Sequence, residues 1–166
     1  MRWCTKDLKT RVTERYIRDL KQKYNVFQYI GLAADEVKRL ERKSNQDKSH
    51  IHPLVTWGWS EADCLDYCYS LGFDWGGLYE IFDRVSCWCC PLQSLEDLRK
   101  LRKHFPQMWE ELIDMDRRTW RKFKPDYTVE ELDKRFKFEE ERLAEGKSIR
   151  SREFFTELRA VLNGGN

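Results

Sequence analysis

No apolar run approaching the roughly 18 residues of a membrane helix occurs in this 166-residue chain, and no charged-then-apolar leader opens it. The expectation is a protein without a membrane span or signal peptide, working in the cytoplasm. An excess of charge of one sign is lacking as well: Lys+Arg 31 against Asp+Glu 29 leaves +2, so net charge demands no polyanionic partner. A nucleotide or nucleic-acid site must therefore be a local patch. Internal repeats and low-complexity tracts are absent, and there is no second Cys-x-x-Cys pair, which excludes the generic zinc ribbon.

Aromatic residues, by contrast, are plentiful. They make up 14% of the chain, with seven Trp, at a mean hydropathy of -0.81, which points to a compact aromatic core or an aromatic-lined interface. The length suits one domain, or one domain with a helical appendage.

Helical periodicity dominates. Leu8, Val12, Tyr16, Ile17, Leu20 and Tyr24 recur at three- and four-residue steps, predicting a surface helix with one buried face. Val26, Phe27, Tyr29, Ile30 and Leu32 form a β-branched and aromatic run that predicts a buried strand, delivering Gly31, Asp35 and Glu36 at its C-terminal end. Lys38 to His50 reads as a short helix decaying into an exposed loop, followed by an extended segment through His52-Pro53 and a Trp57-Gly58-Trp59 corner. Ser60 with Asp63, Ser94 with Asp97 and Thr128 with Glu131 are N-cap signatures that open three helices. Phe105-Pro106 breaks the second of these runs in two, Gly146 ends the third, and a last helix over 151–162 stops at Gly164-Gly165. Between them, Arg117 to Pro125 is basic and aromatic, a composition that can stack on and neutralise nucleic acid or simply tuck its rings into the core.

Three of the six cysteines fall in four positions, Cys87, Cys89 and Cys90, closed by Pro91. Cys87 and Cys90 have the spacing that aims two thiolates at one metal from a tight turn. A metal site (zinc or iron–sulfur), a dithiol redox pair and buried unliganded thiols all remain open on these residues. Cys64 and Cys68, four apart on a helix face, read as core.

Four separated pieces bear on the choice: "RWCTKDLK" (Arg2 to Lys9), "YIGLAADEVKR" (Tyr29 to Arg39), "PLVTWGWSEADCLDYC" (Pro53 to Cys68) and "GGLYEIFDRVSCWCCP" (Gly76 to Pro91). In order and spacing they resemble the phosphoadenosine-phosphosulfate reductase family, a branch of the adenine-nucleotide α-hydrolase-like (PP-loop) superfamily. The matching features are an arginine/cysteine-lysine element, a Gly-x-x-x-Asp-Glu-x-x-Arg strand end, a Pro-Leu-x-x-Trp helix start and a Tyr-x-x-x-x-Arg-x-x-Cys-x-x-Cys-Pro segment. The resemblance covers about residues 2 to 91.

It implies a predominantly helical α/β fold, the C-terminal portion of a Rossmann-like nucleotide-binding domain over 1–116; the residues themselves add a basic connector and helical tail over 117–166. It implies that Lys6 and Lys9 face phosphate or sulfate groups, with Asp35, Glu36, Arg39 and Arg84 lining the same cleft for an adenine nucleotide or sulfonucleotide, with Mg²⁺. It also implies a metal, an iron–sulfur cluster or zinc, held by Cys4 from the early element and by Cys87 and Cys90 from the late one, with Cys89 standing as the fourth candidate.

Two pieces of the family pattern are missing. No Ser-Gly-Gly-x-Asp-Ser phosphate loop occurs, the only glycine pairs being Gly76-Gly77 and Gly164-Gly165, and Met1 stands where the second half of the family domain would begin. No cysteine follows Cys90, so the C-terminal nucleophile of the sulfonucleotide reductases is absent. The expectation is part of a nucleotide site in sulfur or nucleotide metabolism, incomplete as a catalyst unless a partner chain supplies the N-terminal half. The alternative is a non-catalytic, metal-stabilised module that binds a protein, or nucleic acid through 117–124.

Overall fold

A computed structural model describes residues 4–164, so Arg2 of the first matching piece and Gly165 of the closing glycine pair lie outside the described residues. The chain forms two compact units, Met1–Asp74 and Trp75–Asn166, and the break between them falls inside the stretch expected to form the first region. Each is described by itself.

The first unit opens with a π-helical stretch, Thr5–Thr10, that runs into α1, Arg11–Lys21. The predicted helix is present, but its apolar stripe is not buried: Leu8 is 64% exposed, and Val12, Tyr16 and Tyr24 are exposed with it. Next comes β1, Gln28–Tyr29, then α2, Val37–Leu40, a 3₁₀ turn at Lys43–Asn45, and β2, His50–Ile51. β1 and β2 pair in parallel, Gln28 opposite His50 and Tyr29 opposite Ile51.

The buried strand expected over Val26 to Leu32 is thus cut to two paired residues, with Phe27 and Tyr29 exposed and only Leu32, next to Ala33, fully buried. The cause is local: Leu32 N–H turns back to the Ile30 carbonyl at 2.9 Å, and Ala34 N–H bonds the Trp59 carbonyl at 2.7 Å, so the chain leaves the ladder. Pro53 starts α3, Pro53–Trp57, at a position where its missing N–H costs nothing, and Gly58 ends it with φ 71. The unit closes with α4, Glu61–Ser70, opened by the predicted capping box of Ser60 and Asp63.

The second unit begins with the Gly76-Gly77 turn and α5, Leu78–Ile81. The Cys87–Cys90 turn leads to α6, Leu95–His104, and α7, Pro106–Arg117, which divide at Phe105-Pro106 as the sequence predicts. Then follow α8, Val129–Ala144, and α9, Arg152–Asn163. Leu98, Leu101, Trp109, Leu112, Val129, Leu132 and Phe136 form the core that α6, α7 and α8 bury together. The fold is α/β and predominantly helical, and the sheet among the described residues has two strands.

The start of α8 couples stability to pH. Glu131 N–H donates to Thr128 Oγ1 at 3.1 Å, and Thr128 N–H to Glu131 Oε2 at 2.6 Å. Burial pushes the Glu131 carboxyl up, but the Thr128 N–H and the Lys122 ammonium outweigh it and hold the group below its ordinary value. A carboxyl depressed in the folded state stabilises above its unfolded pKa, about 4.3 for glutamate, and loses that stabilisation as pH falls. Thermal melts are expected to show Glu131→Gln less stable than the natural chain at neutral pH, with the gap closing as the medium is taken below about pH 4. A gap independent of pH would contradict this assignment.

Candidate functional site

In the first unit the Gly31-to-Arg39 segment leaves β1 at its C-terminal end, the edge at which parallel α/β proteins bind ligands. Buried Leu32 and Ala33 anchor the segment. Asp35, itself exposed, accepts from Glu61 N–H at the start of α4, at 3.2 and 3.4 Å to its two oxygens. Glu36 accepts from Ala33 N–H at 3.3 Å and forms an ion pair with Arg39. Two carboxylates and a guanidinium therefore gather where the helix start of α4 and the strand end meet.

Lys6 and Lys9 belong to the π-helical stretch of this unit and are exposed, as is Cys4 just before it. The imidazoles of the unit serve its scaffold: His50 Nε2 meets Gln28 Nε2 at 3.1 Å, and His52 Nε2 lies 2.9 Å from the Asn45 carbonyl.

In the second unit Cys87 and Cys90 bracket a tight turn, with Cys90 N–H on the Cys87 carbonyl at 3.1 Å and Gln93 N–H on the Cys90 carbonyl at 3.1 Å. Cys87 and Cys89 are exposed and Cys90 is half-buried, all as free thiols. Gln93 pins the turn from inside: its Nε2 donates to the Cys87 carbonyl at 2.9 Å and to Ser86 Oγ at 3.2 Å. Lys124 closes the other side by donating to the Gln93 carbonyl; burial pushes its ammonium pKa down, and the neighbouring Cys90 works in the opposite direction.

The turn suits two thiolate ligands, but no group of three or more His, Cys, Asp or Glu side chains is gathered for a metal among the described residues. The late cysteines thus offer half of a tetrahedral set, and Cys4 belongs to the other unit.

Arg84 is exposed and lines an apolar pocket next to the turn. Gln93 escaped the sequence reading, and so did the contact of Lys124 with this turn. Lys124 sat in the basic 117–124 stretch read as a nucleic-acid surface or a connector, and nothing in "CPLQS" separates an inward glutamine from an outward one.

The basic stretch itself is partly spent within the unit. Arg117 pairs with Asp114 and Glu130, and Lys122 pairs with Glu131. Trp120 remains 85% exposed, with the Arg121 guanidinium 4.3 Å from its ring centroid.

No protein family and no solved structure matches the chain. An uncharacterised protein of the archaeon Methanocaldococcus jannaschii is similar to it, 25% identical over 115 residues, which cover 66% of this chain and 24% of that protein. The chain therefore spans about a quarter of the curated relative it matches.

Proposed function

We propose that the protein is similar in function to the phosphoadenosine-phosphosulfate reductases, contributing part of an adenine-nucleotide or sulfonucleotide site and a cysteine-bound metal to sulfur or nucleotide metabolism. The observation that carries this reading is the parallel β1–β2 pair, which releases Asp35, Glu36 and Arg39 at its C-terminal end beside the first turn of α4. That is the position from which a Rossmann-like sheet addresses phosphate groups. Arg39 and the early lysines, Lys6 and Lys9, supply cations for phosphoryl or sulfuryl oxygens, Asp35 is the carboxylate suited to Mg²⁺, and Arg84 is the second unit's cation for the same chemistry. Cys87 and Cys90, joined by Cys89, are the second unit's thiolates for zinc or an iron–sulfur cluster, and Cys4 is the first unit's.

Two further observations favour a site completed by another chain that carries the N-terminal half. A two-stranded sheet of two residues each is too small to stand alone. The exposed stripe of Leu8, Val12 and Tyr16 gives the opening helix an apolar face to bury.

Isothermal titration with ATP–Mg²⁺, adenylyl sulfate and phosphoadenylyl sulfate tests the reading, with the chain alone and with a candidate chain carrying the phosphate loop. Binding lost on Asp35→Asn or Arg39→Gln is expected; no binding in either setting would sink the nucleotide role.

The second reading, a non-catalytic module that binds nucleic acid, is favoured by exposed Trp120 under Arg121, a stacking surface with a cation attached. Salt-dependent retention on single-stranded RNA or DNA that vanishes with Trp120→Ala would favour it over the first.

A further inference from the structure

α6, α8 and the segment that leads into α9 line a groove of about 770 Å³. Along α8 the residues that face it, Phe136, Glu139, Glu140 and Leu143, share one side of the helix, so its floor is about 10 Å long, or two helical turns. Leu143 on that floor is 56% exposed, Phe155 at the start of α9 is 43% exposed, and Ile149 is half-buried. Apolar surface is thus left uncovered inside a concave site.

The carboxylates of the groove are already paired. Glu139 accepts from Arg99 and Arg135, Glu96 pairs with Arg99 at 3.3 Å, and Glu140 pairs with Arg102 at 2.7 Å. Two exposed cations on different walls are left over: Lys103 on α6 and Arg150 just before α9 have no acidic partner among the described residues. The walls formed by α6 and α8 spend their backbone N–H and C=O groups within their own helices, so they offer no ladder to an extended peptide. A docked helix needs none, because it satisfies its own backbone.

We propose that this groove docks an acidic amphipathic helix of a partner protein, whose apolar stripe covers Leu143, Ile149 and Phe155 and whose flanking carboxylates pair with Lys103 and Arg150. The stripe answers the uncovered floor, the acid answers the two leftover cations, and the helical form answers the helical walls. A polyphosphate chain covers none of the apolar floor and meets Glu96 and Glu140, both exposed on the walls. A fatty acid covers the floor, but its single carboxylate answers one cation and leaves the other. The groove lies wholly in the second unit, apart from the first unit's Asp35, Glu36 and Arg39.

The test is fluorescence anisotropy of the full chain with two labelled synthetic helical peptides of about 18 residues. Both carry leucine at i, i+3, i+4 and i+7, flanked by glutamate in one and by lysine in the other. The glutamate peptide is expected to bind with a Kd of about 100 μM or tighter, and the lysine peptide at least about tenfold more weakly. Leu143→Gln, at an exposed position, is expected to weaken the glutamate peptide about fivefold with the melting temperature unchanged. Lys103→Glu with Arg150→Glu is expected to weaken it about tenfold and to strengthen the lysine peptide, a reversal that an unspecific apolar surface does not produce. Failure of the glutamate peptide to bind overturns the proposal, and so does equal binding of the two peptides. Binding indifferent to Leu143→Gln and to the double charge reversal also overturns it; loss on Leu8→Gln instead assigns the peptide to the opening helix of the first unit. Tighter binding of oleate or single-stranded RNA than of the glutamate peptide, weakened by the same variants, overturns it in favour of a lipid or nucleic-acid site.

Discussion

Glu139→Ala is expected to destabilise the second unit by about 3–5 kcal/mol, out of all proportion to the few atoms removed. Glu139 lies on α8 at 2% exposure, and each carboxylate oxygen accepts from a different arginine: Oε1 from Arg135 Nε at 2.8 Å, Oε2 from Arg99 Nε at 2.7 Å. Arg135 is itself buried, donates to Tyr127 Oη at 3.1 Å and lies over the Tyr127 and Phe154 rings. Arg99, whose pKa the Glu139 hydrogen bond raises, rests over Phe136 in the core.

Removing the carboxylate leaves Arg135 as a buried cation with a phenol as its remaining hydrogen-bond partner, and desolvation then works against folding uncompensated. The double variant Arg135→Met, Glu139→Leu removes both charges and is expected to recover most of the loss, because the favourable pair and its desolvation nearly cancel. Urea unfolding followed by circular dichroism checks both. A Glu139→Ala chain within about 1 kcal/mol of the natural one would show that this triad does not support the core.

On the proposed metal-binding reading, the double replacement Cys87→Ser, Cys90→Ser is expected to take metal content from stoichiometric to undetectable. Serine oxygen is a poor substitute for thiolate toward zinc or iron–sulfur, and these two positions bracket one tight backbone turn. Gln93 and Lys124 fasten the same turn through its carbonyls rather than through sulfur. Its backbone therefore survives the substitution, and the helical signal of α6 to α9 is expected to persist. Cys64→Ser with Cys68→Ser, on α4, is expected to leave metal content unchanged. Inductively coupled plasma analysis of the two double variants separates a specific site from adventitious thiol binding.

The helical architecture was legible because its punctuation is local. Ser60 with Asp63, Ser94 with Asp97 and Thr128 with Glu131 open their helices where the residues indicate, and Phe105-Pro106 divides α6 from α7. Burial was less legible, since it depends on partners distant in the chain. The spacing of Val129, Leu132, Phe136 and Leu143 puts them on one face of α8, yet Leu143 is exposed and Glu139 is buried, because Arg99, forty residues away, supplies the charge that makes burial tolerable. Likewise Arg142 is buried against Glu153 and Glu157 of α9. The stripe of α1 has correct helical spacing and remains exposed, since periodicity identifies a face without identifying what covers it.

Of the candidate site, the grouping of Asp35, Glu36 and Arg39 follows from its spacing, with Glu36 and Arg39 one helical turn apart. Recruitment of α4's first turn by Asp35 spans 26 positions and could not be read from spacing. The inward turn of the Gln93 amide onto the Cys87 carbonyl had no sequence signal at all.

Metal analysis joined to an absorption spectrum of anaerobically purified protein tests the proposed cysteine-bound metal most directly. The proposal predicts stoichiometric metal that depends on Cys87 and Cys90, either as a broad visible band from iron–sulfur or as colourless zinc. Protein that folds with its helical signal intact and holds no metal would contradict it.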